Sequence, residues 1–183
     1  MQSIKVLQQT LSQLADKEHC LFSLTDLRGI LPEQRHSTFK ALISRAQKGG
    51  VLERVCRGIY LYSGVMCPSG LLLYKVAARI RAGEFNYISL ETVLSDSGVI
   101  SQIPFNWITL MSSGRSYVVD CGKYGHIEFI HTKKTPDNIA SQLFYDEDCG
   151  LWRASVALAM EDMKYTRRST ELVDQEVLNE LVR

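Results

Sequence analysis

Nowhere is this chain apolar for the roughly 18 unbroken residues that a membrane span needs. Its start, Met1-Gln2-Ser3-Ile4-Lys5, has neither the apolar core nor the small-residue cleavage site of a secretory signal. A soluble, cytoplasmic protein without a membrane partner is expected. Cysteine is sparse and odd in number: Cys20, Cys56, Cys67, Cys121 and Cys149. No two stand at the spacing of a metal knuckle or a redox pair. Isolated thiols in a reducing cytosol are expected, with a redox-sensing or catalytic cysteine as the alternative.

Other catalytic signatures are missing too. Gly49-Gly50 lacks the Lys-Ser/Thr that would make it a phosphate-cradling loop. Of the four histidines, His126 and His131 share one strand pattern but stand five residues apart, hence on opposite faces, which argues against a shared metal. Cys121 near His126 offers a thiol beside a base, though a strand cysteine and an edge histidine explain the pair as well. The run Asp146-Glu147-Asp148 reads as a solvated loop. No catalytic residue, metal ligand or cofactor is expected, and no enzyme.

A large charge of one sign is also absent, since the net value is only +1. That average hides an asymmetry. Residues 1–64 carry nine Lys/Arg and five Asp/Glu, or +4, while residues 65–183 carry twelve and fifteen, or −3. From Arg28 to Arg57 there are seven bases and two acids. An anion-binding module joined to something else fits this split. With 45% hydrophobic residues the 183-residue chain can bury a core, as one domain or two small ones.

What is present centres on Ser23–Tyr62. Ile4, Leu7, Leu11 and Leu14 predict a first helix at residues 3–15. Cys20-Leu21-Phe22 reads as a short strand. Ser23, with Asp26 three residues on, caps a second helix that Pro32 stops. A third is predicted over 33–48, with Phe39, Leu42, Ile43 and Ala46 as its apolar stripe, and Gly49-Gly50 ends it. Residues 51–55 and 59–62 then form a hairpin across Cys56-Arg57-Gly58. Helix, turn, helix and β-wing make the plan of a winged helix-turn-helix, expected over residues 1–64. In that plan Gln34, Arg35, His36, Ser37, Thr38 and Arg45 face the major groove, and Lys40, Lys48, Arg54 and Arg57 hold phosphates or the minor groove.

Cys67-Pro68-Ser69-Gly70 marks the boundary to a C-terminal domain, 65–183. Helices are predicted at about 70–82 and from Ser89 to Gly98. Strands follow at Trp107–Met111, Ser116–Asp120 and His126–His131, with an edge strand at Phe144-Tyr145. Trp152–Met163, apolar nearly all round, reads as a buried helix, and Glu171–Val182 as a final amphipathic one. The fold class is α+β: a winged helix-turn-helix followed by a mixed α/β domain with a small antiparallel sheet.

Two stretches resemble the AbiEi antitoxins of type IV toxin–antitoxin systems. One is the hairpin Leu52-Glu53-Arg54-Val55-Cys56-Arg57-Gly58-Ile59-Tyr60. The other begins at Tyr87-Ile88-Ser89-Leu90-Glu91-Thr92-Val93-Leu94, continues with Gly98-Val99-Ile100 and Gly114-Arg115-Ser116, and reaches Tyr124-Gly125 ahead of the His126–His131 strand. The resemblance implies a repressor that binds inverted repeats of double-stranded DNA in its own promoter. It also implies an antitoxin that counteracts a nucleotidyltransferase-like toxin without needing a stable complex with it. The alternative is a one-component regulator whose C-terminal domain binds a small ligand or an unrelated protein.

Overall fold

The computed structural model describes residues 2–101 and 106–182. The chain divides into two compact units, Met1–Leu72 and Leu73–Arg183. None of the described helices is long and apolar enough to cross a membrane.

The first unit runs α1 (Gln2–Leu14), β1 (Leu21–Ser23), α2 (Leu24–Ile30), α3 (His36–Lys48), β2 (Leu52–Cys56) and β3 (Ile59–Tyr62). Ser23 makes the expected capping box: its hydroxyl accepts from the Asp26 N–H, and the Asp26 carboxylate accepts from the Ser23 N–H. Leu7 and Leu11 of α1, Leu27 of α2 and the α3 stripe Phe39, Leu42, Ile43 and Ala46 close one core. The strands form an antiparallel sheet in the order β1-β3-β2. Helix α3 starts at His36 rather than 33, because residues 31–34 are spent in a turn in which the Gln34 N–H donates to the Leu31 carbonyl.

Two of the cysteines are not isolated thiols. Cys20, just before β1, and Cys67, beyond β3, are joined by a disulfide. The antiparallel β1–β3 pairing brings them together across 47 residues of sequence. Cys56, Cys121 and Cys149 stand outside the disulfide and are buried.

The second unit runs α4 (Leu72–Ile80), β4 (Asn86–Ile88), α5 (Glu91–Asp96), β5 (Trp107–Ser112), β6 (Tyr117–Asp120), β7 (His126–His131), α6 (Pro136–Ile139), β8 (Leu143–Asp146), β9 (Leu151–Ala154), α7 (Val156–Tyr165) and α8 (Gln175–Leu181). Its sheet is larger than expected and mixed rather than wholly antiparallel. Among the described residues it has six strands in the order β6-β7-β5-β4-β9-β8, and β5–β7 and β4–β9 run parallel. Two strands were not expected from the sequence. Strand β4 is only three residues long, and it is buried throughout, so it shows no alternation. Strand β9 overlaps the start of the predicted helix 152–163. The helix begins only after Ser155, whose hydroxyl accepts from the Leu158 N–H. A short apolar run reads alike as buried strand or buried helix.

Two glycines of the resembling motifs have steric reasons. Gly125 sits at φ 114°, and a β-carbon there would overlap the Asn106 carbonyl. One on Gly114 would displace the Glu84 carboxylate and the Arg81 guanidinium.

Arg153 of β9 ties the far end of the sheet together, donating to Asp146 at 3.1 Å and to Asp96 at 2.6 Å. Burial alone would raise the Asp146 pKa. The Cys149 N–H and thiol and the Arg153 guanidinium outweigh it and hold the carboxyl below its usual value. A carboxylate with a depressed folded pKa stabilises above its unfolded value, and loses that contribution as pH falls through the folded one. Asp146→Asn should therefore cost about 2 kcal/mol at neutral pH. Its deficit against wild type should shrink below about pH 4, where the unfolded carboxyl protonates. Urea unfolding at a series of pH values checks this, and a deficit constant with pH would refute it.

Candidate nucleic-acid interface

Helix α3, HSTFKALISRAQK, contains no acidic residue. Its apolar stripe turns inward, which leaves Ser37, Ala41, Ser44 and Lys48 along the opposite line at spacings of four, three and four. Thr38 and Arg45 flank that line on one side, and His36 and Lys40 on the other; all eight side chains are exposed. The line is narrow for most of its length because three of its four residues are small. The Gly49-Gly50 turn ends the helix and leads directly into β2. Gly50 takes φ 71°, and the Val51 N–H donates to the Ala46 carbonyl.

The β2–β3 hairpin carries Arg54 and Arg57, both exposed. A bulge lies between Arg54 and Cys56, and Gly58 at φ 84° completes the turn. The turn is tied down, because the Gly58 carbonyl accepts from the Leu24 N–H at the start of α2. Arg57 stands free at the tip. Arg54 bends back, its Nε donating to the Cys56 carbonyl at 3.3 Å.

Of the ten residues singled out from the sequence, seven are on or capping α3. Arg35 is its exposed N-cap residue, and His36, Ser37, Thr38, Lys40, Arg45 and Lys48 lie along it. Arg54 and Arg57 share the hairpin. Gln34 differs from the rest: it is half-buried in the turn before α3, and its amide donates to Ser3 of α1 at 3.3 Å. Ser44 was missed, although its place on the line with Ser37, Ala41 and Lys48 was legible from helical spacing. Arg28 of α2 was counted only in the charge tally. Its guanidinium lies 5.1 Å from the Phe39 ring, a contact between two helices that no local pattern announces.

In the second unit the residues weighed for chemistry lie at opposite ends of β7, with Cys121 and His126 at one end and His131 at the other. His126 packs on the Trp107 ring at 4.8 Å and lies 3.8 Å from Asp120. His131, at the other end of β7, has Nδ1 2.9 Å from the Gly114 carbonyl oxygen. Cys121 is buried. No group of three or more metal-ligating side chains occurs among the described residues.

Residues 9–63 match the family model described as a transcriptional regulator, AbiEi antitoxin. The match takes in α2, α3 and the hairpin and ends beyond Tyr62, so the second unit lies outside it. No curated protein matches the chain. The likeness read from Leu52–Tyr60 is thus borne out: over residues 9–63 this chain is similar to the AbiEi antitoxin family of transcriptional regulators.

Proposed function

We propose that this chain is a cytoplasmic, sequence-specific DNA-binding repressor of its own operon and the antitoxin to a nucleotidyltransferase-like toxin, with which it forms no stable complex. The observation that carries the DNA-binding part is the acid-free outer face of α3, whose small residues admit a close approach to a groove. In this reading the first unit is a winged helix-turn-helix. Helix α3 enters the major groove with His36, Ser37, Thr38 and Arg45 toward base edges and Arg35 at its mouth. Gln34 reaches a base only by giving up its bond to Ser3. Lys40, Lys48 and the hairpin's Arg54 and Arg57 hold phosphates or enter the minor groove.

Gel-shift titration on a duplex from upstream of the gene tests it. Arg45→Ala should cost about 1–3 kcal/mol and relax specificity. Arg57→Ala should weaken binding by a similar amount or less. Unchanged affinity in both variants would overturn the reading.

A second reading keeps the DNA-binding unit but makes the rest a ligand sensor. A cavity of about 220 Å³, lined by Arg81, Glu84, Asn86, Tyr145 and Trp152 among others, favours it. The neighbouring gene separates the two: a co-transcribed toxic nucleotidyltransferase-like reading frame supports the antitoxin, and a metabolite that shifts operator affinity supports the sensor.

A further inference from the structure

Helix α2 places Leu24, Thr25 and Arg28 on one side, at helical spacing. Helix α3 does the same with His36, Phe39 and Lys40. The two half-stripes line one groove of about 270 Å³. Its composition is unusual for a surface groove. The walls are mainly apolar, from Leu24 and Phe39. The polar lining residues are Thr25 and three that carry or can take a positive charge, Arg28, His36 and Lys40, with no carboxylate among them. The acid of α2, Asp26, is turned onto the backbone of Ser23. Arg28 is half-buried with its guanidinium against the Phe39 ring at 5.1 Å, and its Nη1 is buried without a hydrogen-bond partner. A guanidinium held by a ring, with an unsatisfied donor, is organised to receive an oxyanion.

We propose that this groove seats one sugar-phosphate step of the DNA backbone, with the phosphate on Arg28 and Lys40 and the deoxyribose against Leu24 and Phe39. A nucleotide step of DNA combines an anion with an apolar sugar face, and this groove offers partners for both. A free inorganic anion would use only the cations. The inference rests on the DNA-binding reading and adds to it a contact made from α2, outside α3 and the hairpin. Such a contact positions the protein without reading sequence.

The test uses the full chain, fluorescence anisotropy, and two labelled duplexes: one from upstream of the gene and one scrambled. Arg28→Met keeps an apolar stem on Phe39 and removes the charge. It should weaken binding to both duplexes by the same factor, on the order of tenfold, and lower the slope of log affinity against log salt by about 1. Lys40→Gln, an exposed change that does not disturb the core, should act in the same direction with a smaller factor, and serves if Arg28→Met does not fold. If both leave affinity and salt slope unchanged while Arg45→Ala weakens binding, the groove is not on DNA and the DNA-binding reading survives. If Arg45→Ala and Arg57→Ala are also without effect, that reading fails first. Loss confined to the upstream duplex would make Arg28 a base reader and overturn the backbone assignment. Saturable binding of inorganic phosphate that Arg28→Met abolishes, with DNA affinity intact, would overturn it in favour of a free-anion site.

Discussion

Phe129→Ala should destabilise the second unit by about 4 kcal/mol, within the range for emptying an aromatic core site. Phe129 is fully buried near the centre of β7. Its ring does more than fill volume, because it is one of two walls around a buried cation. The Arg81 guanidinium lies 4.3 Å from the Phe129 centroid and 4.6 Å from that of Tyr117, and Arg81 is only 5% exposed. Its polar partners are Glu84 at 3.0 Å, the Ser112 hydroxyl and the Arg115 carbonyl. Removing the ring opens a cavity beside a charge that is held out of water. Phe129→Leu separates the two contributions. It keeps most of the volume and loses the π face, so it should cost about 1–2 kcal/mol, chiefly the cation–π part. Urea unfolding followed by tryptophan fluorescence reads the right unit, since Trp107 and Trp152 both lie in it. No measurable loss in Phe129→Leu would show that the π face contributes nothing measurable. A loss below about 1 kcal/mol in Phe129→Ala would refute the packing argument itself.

The second large effect concerns a charge with no solvent at all. Asp162 of α7 is 0% exposed. One carboxylate oxygen accepts from Lys134 Nζ at 2.8 Å and the other from the Ser89 hydroxyl at 2.7 Å. Lys134 follows β7 and Ser89 follows β4, so this one side chain ties a helix to two strands' ends. The neighbouring Tyr87 side chain is buried beside this carboxylate. Burial first, and then the Asp162 carboxylate, push the tyrosine's proton loss well above the usual range. Lys134→Met should cost about 3 kcal/mol, because it strands the carboxylate rather than because the ion pair itself is strong. The lysine is a quarter exposed, and Glu161 stands 3.6 Å from it, so the pair is only partly shielded from water. The double variant Lys134→Met/Asp162→Leu should recover much of that loss, since no charge is then left unpaired. A double variant as unstable as the two single variants added together would mean that the groups do not act as a pair.

Local sequence was a good guide wherever one face of an element is buried and the other is not. The α3 stripe at Phe39, Leu42, Ile43 and Ala46 is inside, and the residues read as its outer face are exposed apart from the half-buried Gln34. The Ser23 box, the Gly58 turn and the strands 107–112, 117–120, 126–131 and 143–146 stand close to where period and punctuation placed them. Legibility failed at two interior strands of the six-stranded sheet. Asn86–Ile88 is buried on both faces and carries no period from which a strand can be told from a helix. Leu151–Ala154, with Trp152 exposed, is four residues long and leads straight into the apolar run of α7, so its own period is lost in that of the helix.

On the candidate interface the division is similar. The basic excess between Arg28 and Arg57, and its placement on one helix face and one hairpin, could be read by counting and spacing alone. That Gln34 turns to Ser3, that Arg54 folds onto Cys56, and that Arg28 stacks on Phe39 over a groove could not. Local periodicity records which way a side chain faces along its own element. It holds no record of what the other side of the contact will be. The sequence by itself therefore determined the elements of the first unit, their inward and outward faces, and where positive charge is concentrated. Tertiary structure alone decided the Cys20–Cys67 pairing, the parallel joins β5–β7 and β4–β9, and the burial of Asp162 against Lys134. Each of these joins residues far apart in the chain, and only the closed fold supplies their partners.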